Sequence, residues 1–112
     1  MVATSCVIRS DTWNIFLLSD HQYRKKCGTG SQAITYYKHE TGLREVNFKA
    51  SVYCKSTLIH ELVHCHLSYR SFRGKPYGQI EEEVCDEFGA RGARLLNTAN
   101  RIDRLFRAAL RG

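Results

Sequence analysis

The sequence predicts an α+β domain, in which a small antiparallel sheet of about three strands precedes an H-E-x-x-H helix and a second, glutamate-bearing helix. Three observations carry this expectation. Short runs of β-branched and aromatic residues, bounded by Gly, Asn, Asp and Ser, lie in the first half of the chain. In the second half apolar residues return at helical spacing instead. The 112 residues hold one proline, Pro76, with no repeat, low-complexity stretch or linker, so one domain over 1–112 with one core is expected.

Taken in order, Cys6-Val7-Ile8 offers a short edge strand, and Thr12 to Leu18, TWNIFLL, a firmer one. The polar Ser19-Asp20-His21-Gln22 predicts a turn or short helix after it, and Cys27 to Ser31 a loop. Ala33 to Tyr37 and Arg44 to Phe48 flank His39-Glu40-Thr41-Gly42, which reads as a hairpin. Ser56 or Thr57 can cap a helix running to about Tyr69, before Gly74, Pro76 and Gly78 interrupt the pattern. Gln79 to Leu96 then forms a helix on Ile80, Val84, Phe88 and Leu95, and Thr98 to Leu110 another on Ile102, Leu105, Phe106 and Ala109.

Composition narrows the class. Five cysteines form an odd set without a C-x-x-C pair, which disfavours a disulfide framework or a zinc ribbon and suits reduced thiols in the cytoplasm. No run approaches about 18 apolar residues, and the first residues lack the pattern of a signal peptide, so neither membrane insertion nor secretion is expected. The net charge of +6 favours an acidic partner where the cations cluster.

His60-Glu61-Leu62-Val63-His64 is the motif that bears chemistry. At about 100° per residue the two histidines lie about 40° apart on a helix, with Glu61 at the edge of the same face. Two imidazoles so placed can share one zinc ion, with Glu61 as general base on zinc-bound water. His66 points about 160° from His64 and is expected to pack rather than ligate. The remaining histidines, His21 and His39, precede the motif in turn-like segments, which leaves a carboxylate as the natural third ligand. Glu81, Glu82 and Glu83 all qualify by distance along the chain. Glu82 is preferred because it shares a stripe with Asp86, Gly89 and Ala93, where small residues allow close helix approach and Asp86 can orient a ligand histidine from behind.

HELVH followed by EVCDEFGA resembles the ImmA/IrrE type of minimal gluzincin, in which the H-E-x-x-H helix precedes a helix bearing a glutamate ligand and a small-Asp/Asn-x-Phe-Ala run. Here that run is Cys85-Asp86-Glu87-Phe88-Gly89, and the likeness extends from Ser56 to Leu96. The late Leu95-Leu96 and the missing downstream proline depart from that family. SprT-like proteases are similar more loosely, since the downstream histidine ligand is absent. The resemblance implies a zincin-like fold and a zinc metallopeptidase that cleaves a specific protein substrate, held as an extended strand along the sheet edge. A donor to the oxyanion is then required, and Tyr69, Tyr77 and His66 are nearest in sequence.

Arg91, Arg94, Arg101, Arg104, Arg107 and Arg111 recur at three- and four-residue steps. A solvated helix face is the ordinary account, and contact with nucleic acid or an acidic protein is the functional one. The competing expectation is therefore a non-catalytic zinc-containing module that presents this helix to a nucleic acid or a regulatory protein.

Overall fold

The computed structural model describes residues 1–112. Strands β1 (Val2–Ile8), β2 (Asp11–Leu18), β3 (Ala33–Lys38) and β4 (Leu43–Lys49) form one sheet in the order β1-β2-β4-β3. Helix α1 (Asp20–Cys27) joins β2 to β3, while α2 (Lys55–Leu67) and α3 (Tyr77–Arg111) follow the sheet. No helix is long and apolar enough to cross a membrane.

The α+β class holds, but the sheet is mixed and has four strands. β1 pairs antiparallel with β2 and β3 antiparallel with β4, whereas β2 and β4 run parallel. The direction changes because α1 carries the chain past the central position to the outer one, and the β3–β4 hairpin then folds β4 inward against β2. Strand patterning reports which side chains face the core and is blind to strand direction. β1 is also seven residues long instead of three, since Val2, Thr4, Cys6 and Ile8 face inward and two of these four are weak hydrophobic markers.

Alternation sorts the faces. Trp13, Ile15 and Leu17 on β2 and Val46 and Phe48 on β4 enter the core with Leu58, Leu62 and Cys65 of α2 and Leu95, Ala99, Ile102 and Phe106 of α3. Burying a leucine such as Leu58 or Leu62 contributes about 1.5–3 kcal/mol. On the opposite face α1 lies over the sheet, with Lys26 paired to Glu45 at 3.2 Å and set 4.0 Å from the Phe16 ring. A capping box of Ser19 and Gln22 starts α1.

The helical boundaries differ from expectation at three points. The N-cap of α2 is Cys54, and the Ser56 and Thr57 hydroxyls turn back to its Sγ at 3.2 and 3.1 Å. Its last helical residue is Leu67, with Ser68 as the C-cap. The two helices expected after Pro76 are a single one of 35 residues. Asn97 and Thr98 are weak helix formers but neither removes a backbone donor, and Leu95, Ala99, Ile102 and Phe106 keep one apolar stripe in register across them.

Candidate metal centre

Packing of α2 against the sheet through Leu58, Leu62 and Cys65 leaves His60, Glu61 and His64 on the side that meets β3. Their donor atoms all lie within 4.8 Å of one another. The two Nε2 atoms stand 3.2 Å apart, and Glu61 Oε2 is 3.9 Å from that of His60. Both histidines are exposed, whereas Glu61 is 6% exposed. Thr35 on β3 donates to Glu61 Oε1 at 3.3 Å and so fixes the second carboxylate oxygen.

Whether this pair suits zinc can be judged from its spacing. Two nitrogens each about 2.0–2.1 Å from a tetrahedral zinc stand about 3.3 Å apart. The 3.2 Å separation fits, and an imidazole N–H···N hydrogen bond fits it equally. The adjacent buried carboxylate is what the hydrogen bond leaves unexplained.

Glu82 and Asp86 are exposed and stand outside the His60–Glu61–His64 group. Of the three neighbouring glutamates, Glu83 turns toward the α2–α3 contact and takes both Lys75 hydrogen bonds at 2.9 Å. Its carboxyl is held below the usual range by the Lys75 hydrogen bond first and by nearby Lys75 and Arg70 charge. Glu81 is exposed. The acidic helix meets α2 on the His66 side, so the carboxylate it buries against α2 is Glu87, 0% exposed and 3.1 Å from His66 Nδ1.

His66 is buried and points away from His60 and His64, as the helical angle predicts. Glu87 also accepts from Arg9, Arg70 and Arg91. Burial raises its pKa, but the Arg9 and His66 hydrogen bonds and the Arg9 and Arg91 charges outweigh this and hold it below the usual carboxylate range.

A cleft of about 220 Å³ opens beside Glu61 and His64, walled by Ala33, Ile34, Thr35 and Tyr37 of β3. Thr35 and Tyr37 escaped the sequence reading. They sit 26 and 24 positions before Glu61, and only the placement of β3 at the sheet edge brings them there. The oxyanion candidates named from sequence lie elsewhere. Tyr69 donates to the Ile8 carbonyl and accepts from Trp13, Tyr77 is 81% exposed, and His66 is bound to Glu87. His39 is also occupied, between Ser68 Oγ and Arg44 Nε at 3.0 Å each.

Several cations of the arginine stripe are engaged within the chain. Arg91 reaches Glu87, Arg107 pairs with Asp103 at 2.9 Å, and Arg101 holds Thr4 and the Ser5 carbonyl on β1. Arg94, Arg104 and Arg111 remain exposed. All five cysteines are free.

The chain matches no protein-family profile, no curated protein and no solved structure.

Proposed function

We propose that the protein is a zinc-dependent metallopeptidase of gluzincin type, resembling the ImmA/IrrE proteins, which hydrolyses peptide bonds in a specific protein partner in the cytoplasm. The observation that carries this reading is the convergence of His60, His64 and the buried Glu61 at the mouth of a cleft walled by edge strand β3.

His60 and His64 would hold the zinc, and Glu82 of α3, which stands outside their group here, is the proposed third ligand, with Asp86 to orient the set. Bound there, zinc supplies Lewis acidity for the scissile carbonyl and the attacking water. The chain's own groups do the rest. Glu61 accepts the proton of the attacking water and hands it to the departing amine nitrogen as the C–N bond breaks. Thr35 keeps that carboxylate oriented through Oε1, leaving Oε2 toward the histidines. A substrate segment in extended form adds to the free edge of β3 by backbone hydrogen bonds, and Tyr37, which lines the same cleft, serves the oxyanion.

Elemental analysis of the purified protein with peptide-library hydrolysis tests the reading. Wild type is expected to carry one zinc, and His64→Ala and Glu82→Ala to lose it. Glu61→Gln is expected to keep zinc and lose at least about 100-fold in hydrolysis. Wild type without stoichiometric zinc refutes the metal site, zinc-loaded wild type that hydrolyses no peptide transfers the function to a non-catalytic module, and full hydrolysis by Glu61→Gln removes that residue as the general base. Zinc retained by Glu82→Ala removes that glutamate from the ligand set alone.

A further inference from the structure

On the face of α2 turned away from His60 and His64, a cavity of about 300 Å³ lies between the β1–β2 turn, α2 and α3. Val7, Ile8, Leu62 and Leu95 supply its apolar walls. Arg9, Arg91 and Arg94 bring three guanidinium groups to its rim. The carboxylate that answers them is Glu87, whose Oε1 alone accepts from Arg9, Arg70 and Arg91. Of these three, Arg94 forms no ion pair. Donors and positive charge are therefore in surplus around a pocket whose size suits a small ligand.

The turn that brings Arg9 there is strained. Arg9 and Ser10 form the whole two-residue connection between β1 and β2, with φ of 51° and 69°. A tight hairpin with positive φ at both positions favours Asn-Gly, and neither arginine nor serine suits it. Such conformations persist where the surroundings fix them, and they concentrate at binding sites. Here the guanidinium of Arg9 is fastened to Glu87 at the cavity rim.

We propose that this cavity is a binding site for a small organic oxyanion, a carboxylate or phosphate group on a compact apolar body. The head group meets Arg94 and the free donors of Arg9 and Arg91, and the body packs on Val7, the exposed apolar residue of the lining. The site is separate from the His60–His64 centre and does not depend on zinc.

The test is a titration of full-length protein at low ionic strength, followed by backbone amide NMR shifts. The probes are phenyl phosphate, benzoate, and benzyl alcohol as the uncharged counterpart. Phenyl phosphate or benzoate is expected to saturate shifts at Ser10, Leu62 and Leu95, and the tighter of the two identifies the head group. Arg94→Gln, which leaves the Glu87 contacts intact, is expected to weaken binding about tenfold or more, and Arg111→Gln to leave it unchanged. Added salt should weaken it as well. No saturation by either anion, equal binding of benzyl alcohol, or indifference to Arg94→Gln would each overturn the proposal.

Discussion

Replacing Glu87 with glutamine keeps the shape of the side chain and removes the one carboxylate that Arg9, His66, Arg70 and Arg91 share. Glu87 is 0% exposed, so its contribution is not screened by water. Removing one partner of a buried ion pair costs about 3–5 kcal/mol. The arginines are 22–31% exposed and can turn partly into solvent, which points to the lower end, about 3 kcal/mol. With a urea dependence of about 1.5 kcal/mol/M, the midpoint should fall by about 2 M. Trp13 is the single tryptophan, fully buried, and donates to Tyr69 at 3.0 Å, so its fluorescence reports on the contact between the sheet and the segment that follows α2. Glu40→Gln, at an exposed position away from both carboxylate clusters, serves as the control and should leave the midpoint in place. A Glu87→Gln midpoint within about 0.3 M of wild type would refute the reasoning, because the guanidiniums would then rehydrate at no cost.

The same carboxylate predicts an acid limb in stability. Its folded pKa lies below the ordinary value of 4.5, so its contribution is fully present above that value and is lost as pH falls through the folded one. Glu87→Gln should flatten the decline in urea midpoint below about pH 4.5, and an unchanged slope would count against it. Cys54, exposed at the N-terminus of α2, has a thiol pulled down to about 7 by Ser56 and Thr57 hydroxyls and the Thr57 amide. Its alkylation by iodoacetamide should rise with a midpoint near pH 7 that moves upward in Ser56→Ala, and an unmoved midpoint in that variant would contradict the assignment. On the peptidase reading, Thr35→Val should retain zinc and lower kcat with little change in KM, because the Thr35 hydroxyl is spent on positioning Glu61. A change confined to KM would instead make Thr35 a substrate contact.

The amino-acid sequence determined the parts that depend on neighbours in the chain. The 3.6-residue period placed His60, Glu61 and His64 on one face of a helix and turned His66 away, and the structure has both. Residue type located β2, β3 and β4 and the helix after them, since β-branched runs and amphipathic spacing act locally. Tertiary structure decided what depends on how elements meet. The parallel pairing of β2 with β4 follows from the path of α1, and the unbroken α3 from an apolar stripe that packing rewards across Asn97 and Thr98. The partner of α2's acidic neighbour was decided there too. A stripe on an isolated helix ranks Glu82 first among the three glutamates, and packing turns Glu83 and Glu87 of the same helix toward Arg70 and His66. A helical wheel ranks the residues of one helix against each other. Which of them faces another helix depends on the rotation of both, and that is set by the whole buried surface.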